Sequence, residues 1–212
     1  MRSRFSVMAE LADDIRRVDF PLVQSWEAVS ESFESWIHRP GLREQLRDHL
    51  RTLPADLAAE VVQRSRETTT HFAWCLRDRE EDPFSFWLHE YKPQRDWRPG
   101  YADSVHNHRY HFCTTILRGC YVHERFEAEL DATRSTILSA TLLRSSNCPP
   151  GASGTMLAEE FHRIPYAADG TMTFLIKSRP VSRWSLSFDP QSQVSRQHLP
   201  VESRMDQLVN RI

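Results

Sequence analysis

Near Thr68 the apolar residues of this chain change period, from that of a helix to that of a strand, and the switch divides the sequence in two. Before it, Leu22, Trp26, Val29, Phe33 and Trp36 recur at steps of four and three, the spacing of one helix face. Leu42, Leu46, Leu50 and Leu53 form a second stripe, and Pro40-Gly41 separates the two. Pro54 suits the first position of a third helix, with Leu57 and Val61 four apart. Apolar stripes usually face a core. Residues 1–66 are therefore expected to form a helical extension packed on the β-rich remainder of the chain.

After the switch, segments 68–76 and 84–92 read as strands joined by the charged turn 78–83. In the second of them Ser85, Trp87, His89 and Tyr91 share one face, and Phe84, Phe86, Leu88 and Glu90 the other. Further strands are expected at 112–117, 121–126, 135–144, 155–164, 171–177 and 183–188. Glycines, prolines and polar loops punctuate them. Short strands at this spacing predict a barrel or jelly roll over residues 67–190. Residues 191–212 read as a polar C-terminal tail, with a short helix near 202–212.

Within the β region lies His106-Asn107-His108. Histidines at i and i+2 of a strand project to the same side, so one metal ion can take both imidazoles. A third histidine, His162, stands in the later strand Phe161-His162-Arg163-Ile164. His106, His108 and His162 are therefore the expected metal ligands inside a small barrel. His111 has the opposite strand parity and is expected to be structural. Neutral imidazole suits Fe, Zn, Cu and Ni alike, so ligand type does not choose the metal.

Composition narrows the partners. The chain has 212 residues, 40% of them hydrophobic, and a formal net charge of −2. This is one large domain, or one domain with an extension, without the basic excess of a nucleic-acid binder. No apolar run is long enough for a bilayer, and the first residues lack the apolar core of a signal peptide. A cytoplasmic protein is expected. The four cysteines, Cys75, Cys113, Cys120 and Cys148, form no Cys-x-x-Cys pair and are expected to be free thiols.

The two histidine motifs resemble those of the cupin superfamily. There the first motif is His-x-His, then a carboxylate, then a glycine, and the second holds one histidine. Here the first runs from His106 through Cys113 to Gly119, with Phe112 and Cys113 where the motif glutamate would stand. Lacking that glutamate, the chain is similar to the three-histidine thiol dioxygenases of the cysteine dioxygenase type over about residues 68–190. The resemblance implies a mainly β fold: a cupin-type double-stranded β-helix, or jelly-roll barrel, with an N-terminal helical extension. It also implies Fe(II) as the cofactor, with Zn, Ni or Cu as alternatives.

In the family an arginine from an early strand pairs with the substrate carboxylate, which makes Arg77 the first candidate here, with Arg125 and Arg163 competing. Cys113 stands where the family carries a cysteine crosslinked to a tyrosine. Leu175 and Lys177 replace the histidine and tyrosine of the matching strand, so no crosslink is expected. His89 and His71 are expected as hydrogen-bonding groups in the pocket, and Tyr91, with Trp74 and Trp87, as its wall. Glu160 shares the parity of His162 and is either close to the metal or a solvated rim carboxylate.

These readings imply a non-haem Fe(II)-dependent oxygenase acting on a small thiol or amino-acid-like substrate. The alternatives are a cupin lyase, isomerase or hydrolase that uses the ion as a Lewis acid, and a non-catalytic small-molecule-binding cupin. The expected partners are a small-molecule substrate and, for an oxygenase, dioxygen. Neither nucleic acid nor a membrane is expected, and a homodimer is compatible with the resemblance.

Overall fold

The structure is a computed structural model that describes residues 7–98, 100, 103–200 and 209–211. Among the described residues four helices come first: α1 (Val7–Arg16), α2 (Trp26–Ile37), α3 (Leu42–Arg51) and α4 (Ala55–Arg64). The breaks between them follow the sequence signals. Gly41 takes a left-handed φ of 72° just before α3, and Pro54 caps α4 from outside rather than opening it from within. Twelve strands among the described residues come after the helices: β1 (Arg66–Glu67), β2 (His71–Arg77), β3 (Phe84–Tyr91), β4 (Val105–His106), β5 (Phe112–Arg118), β6 (Tyr121–Leu130), β7 (Ile137–Cys148), β8 (Ser153–Met156), β9 (Phe161–Ala167), β10 (Met172–Ser178), β11 (Ser185–Asp189) and β12 (Val194–His198).

The strands build two six-stranded antiparallel sheets, in the orders β1-β2-β3-β10-β5-β8 and β12-β11-β4-β9-β6-β7. From β3 to β11 the chain crosses repeatedly from one sheet to the other. The fold is mainly β, with the expected helical segment at its N-terminal side. Strand β12 pairs residue for residue with β11, so the polar stretch after 191 contributes an edge strand. The expected helix near 202–212 falls mostly outside the described residues.

The first sheet separates two environments by simple alternation. On its outer face Phe84, Phe86, Cys113, Phe174 and Ile176 join Leu11, Ile15, Val29, Phe33 and Trp36 of α1 and α2 in one buried cluster. Phe174 is the centre of that contact, with ring centroids 4.9 Å from Trp36 and 5.8 Å from Phe86. On the inner face Trp87, Phe112 and Leu175 point towards the second sheet. Helices and barrel thus share one core. Helix α4 buries no side chain and lies beside β2. Among the described residues no helix is long and apolar enough to cross a membrane.

Candidate metal centre

Between the sheets lies a chamber of about 450 Å³. Strand β4 is only two residues long, so His106 is in the ladder while His108 stands in the segment that leads across to β5. The expectation of one continuous strand through both is corrected by this break. The i, i+2 logic survives because Asn107 is still hydrogen-bonded to the neighbouring strand β11. Its N–H donates to the Leu186 carbonyl at 3.2 Å, and its side-chain oxygen accepts the Leu186 N–H at 2.7 Å. Asn107 is thereby tied outward to β11 while its two neighbours turn inward.

His106 pairs in register with His162 of the adjacent strand β9. One nitrogen from each of His106, His108 and His162 lies within 4.8 Å of the other two. The Nε2 atoms of His108 and His162 are 2.8 Å apart. Nitrogens about 2.1 Å from a shared ion and at right angles would lie about 3 Å apart, so the spacing fits ligation. The Nδ1 of His106 lies 2.8 Å from the Ser104 carbonyl, which fixes that proton and turns Nε2 inward. Burial holds His108 and His162 well below the usual histidine range and His106 down to about 4. All three are neutral at pH 7, the form in which imidazole binds a metal.

A fourth histidine escapes the sequence reading. His123 on β6 places Nε2 3.0 Å from Nδ1 of His162. It sits where the β6–β9 register slips between Val122 and Glu124. Such an irregularity re-aims a side chain. The available signal is the alternation Tyr121, His123, Arg125, all three of which line the chamber.

The other expected site residues divide. His89 and Tyr91 line the chamber, as does His71, whose ring stacks on His89 at 4.2 Å between centroids. Arg77 does not. Its guanidinium is bound to Asp82 through Nε at 2.8 Å and Nη2 at 2.7 Å, and Asp82 also takes Arg16. A buried carboxylate therefore commits Arg77 to structure.

Cys113 is corrected too. Phe112 and Thr114 take the inner face of β5, so Cys113 faces the helices, with Sγ 3.5 Å from Thr155 Oγ1. It is a free thiol, pushed up to about 11 by burial. Glu160 precedes β9, where strand parity no longer applies. Its carboxylate accepts from Arg125 at 2.8 Å and from the Leu157 N–H at 2.6 Å, outside the chamber lining. Glu160 is thus the rim carboxylate of the two readings.

Among the described residues no aspartate or glutamate lines the chamber. Six histidines do, with Arg125 and Arg144 also in the lining. Phe112, Met156 and Leu175 supply apolar surface between them. Such a space favours a small ligand carrying negative charge.

No protein-family model matches the sequence, and no curated protein does. Solved structures share a distant likeness. A 7S globulin of Momordica charantia is 13% identical over 64% of this chain, with a TM-score of 0.41. DMSP lyase DddQ of Ruegeria pomeroyi is 12% identical over 82% of this chain and 99% of its own, with a TM-score of 0.41. Ectoine synthase of P. lautus is 12% identical over 66% of this chain and 86% of its own, with a TM-score of 0.39. The chain spans 35% of the globulin and 29% of a Bacillus subtilis oxalate decarboxylase that is also similar. At this similarity none of them speaks to the chemistry of the present chamber.

Proposed function

We propose that the chain is a metal-dependent enzyme on a cupin-type barrel, in which His106, His108 and His162 hold Fe(II) and a small anionic substrate is oxidised with dioxygen. The observation that carries the reading is the convergence of three neutral imidazoles in a chamber without carboxylates among the described residues. Fe(II) bound there would supply redox chemistry towards dioxygen and a Lewis acid for the donor atoms of the substrate. Three neutral ligands leave the charge of the ion uncompensated, which favours an anionic substrate over a neutral one.

The chain's own residues supply the rest. His123 holds the proton on Nδ1 of His162, so that Nε2 is left to donate its lone pair. Burial keeps the phenols of Tyr91 and Tyr121 protonated, so they serve as hydrogen-bond donors rather than charges. Phe112, Met156 and Leu175 exclude water from the reacting space. Arg144 has no carboxylate partner among the described residues and gives the lining an attraction for anions.

The outward position of Cys113 bears on the substrate. Cys113 supplies no thioether in the chamber, so nothing at that position selects the substrate, and charge and size point to small thiols and amino-acid-like acids as the first group to try. The test is metal analysis of anaerobically purified protein, together with oxygen uptake over a panel of small thiols and amino acids. Oxygen consumption that needs both Fe(II) and substrate, and is absent in the Zn form, is the expected result. Turnover by Zn- or Ni-loaded protein without oxygen uptake would replace this reading with the Lewis-acid lyase, isomerase or hydrolase.

A further inference from the structure

The chain has only two lysines, Lys92 and Lys177, among 27 lysines and arginines. Lys92 is paired with Glu67. Lys177 is 4% exposed and forms no ion pair among the described residues. Its side chain leaves β10 on the same face as Leu175, inside the barrel. Nζ lies 4.4 Å from the centre of the Trp87 ring and 5.1 Å from that of Tyr110. It also lies 3.5 Å from Nε2 of His89.

Burying an ammonium is costly, and an aromatic face offsets only part of the cost. Among the described residues no carboxylate pairs with it to make up the difference. The cost shows as a lowered proton affinity. Burial, with Arg66 adding repulsion, pushes Lys177 down to about 7 against smaller opposing effects of Cys75 and Asp78. A methionine would fill the same space without that penalty. A lysine at such a place can, unlike an arginine, give up its charge when nothing faces it and regain it beside an anion, a use arginine could not serve.

The geometry names that use. His89 lines the chamber, and Lys177, which is not in the lining, reaches it at Nε2. When Lys177 donates to Nε2 of His89, the ring proton of His89 stands on Nδ1. His71 stacks on that ring, with its own Nδ1 2.9 Å from Thr70 Oγ1. Two neutral histidines, backed by an amine that regains its proton when an anion faces it, form a pocket that favours negative charge.

We infer that His71, His89 and Lys177 form an anion subsite in the first sheet's wall of the chamber, in the same space as the His106–His108–His162 cluster but on other strands, that receives a carboxylate or an oxyanion of similar size. His71 and His89 touch the ligand, and Lys177 is a positioning residue that acts through His89. The inference rests on the chamber being a substrate site and not on any metal being bound.

The experiment uses metal-free full-length protein with lysine labelled at the ε-carbon with carbon-13 and histidine labelled with nitrogen-15. Two lysine signals are expected, one for each residue. Sodium propionate is titrated in, with propionamide as the uncharged probe of the same shape. Propionate should shift the Lys177, His71 and His89 signals saturably, leave Lys92 unmoved, and outcompete propionamide. Lys177→Met should weaken propionate binding at least tenfold. Propionate that moves none of these three residues, or binds Lys177→Met as it binds wild type, would overturn the subsite. If Lys177→Met misfolds, the wild-type titration decides alone. Failure of the metal reading would appear separately, as wild-type protein that binds no iron.

Discussion

The imidazole of His123 holds that of His162 by a single hydrogen bond, Nε2 to Nδ1 at 3.0 Å. The other nitrogen of His162 faces His108. His162 is therefore fixed at both ends, and which nitrogen is presented to a metal is decided by His123. Removing an outer partner of a ligating histidine typically costs 10–100-fold in metal affinity. His123→Ala should lower iron affinity by about that factor while the far-ultraviolet circular dichroism spectrum stays near wild type. His123→Gln, which keeps an acceptor within reach, should recover part of the loss. Unchanged iron affinity in the alanine variant would remove His123 from the site.

His111 is the control. It lies three residues after His108, yet its Nδ1 accepts the Ala158 N–H at 2.9 Å and its ring lies 5.8 Å from Trp26 of α2. His111→Ala strands a buried amide, which costs about 1–3 kcal/mol, and leaves a void besides. It should melt earlier than wild type and retain its metal. His108→Ala should do the reverse. A His111→Ala protein that folds normally but loses iron would mean that the ligand set is misassigned.

Arg77 gives a prediction of the same kind for substrate binding. Asp82 is buried between Arg77 and Arg16, and removing one partner leaves a partly unpaired buried charge. Losses of about 3–5 kcal/mol are usual in such cases. Arg77→Ala should therefore lower the urea midpoint markedly. Measured below its melting transition, it should keep the wild-type KM in the proposed reaction. A selective rise in KM with normal stability would return Arg77 to the substrate site.

The helix stripes and the strand alternation are legible in the sequence because both are periodic. Phe174 and Phe86 face the helices, and Trp87 and Leu175 the inner side of the sheet, as parity requires. The His106 and His108 pair is legible for the same reason, although His108 lies just beyond its strand. Arg77 is not, because whether an arginine meets a substrate or a carboxylate depends on Asp82, five residues on across a turn. Strand parity leaves Glu160 undecided because it stops holding at the start of β9. His123 lies on the same face as Tyr121 and Arg125, but it becomes a partner of His162 through the register slip in β6, which no periodicity reveals. In the sequence Lys177 shows only as a replacement for a tyrosine, since burial without a carboxylate is a property of the folded chain alone.

Lys177 also predicts how stability depends on pH. Its ordinary value is 10.5, and in the folded chain burial lowers it to about 7. Below about pH 7 both states hold the proton, so the folded state bears the full cost of the buried charge. Between about 7 and 10.5 the unfolded chain binds more protons than the folded one, and stability rises with pH. Above that range the lysine is neutral in both states and the cost is gone. Lys177→Met removes the group. Its advantage over wild type should be greatest at and below neutral pH and should shrink by about 1.4 kcal/mol for each pH unit above it. Urea unfolding of both proteins at about pH 6, 8 and 10 checks this. A stability difference between the two proteins that does not change with pH would mean that Lys177 keeps its normal proton affinity, and that another group compensates its charge in the folded state.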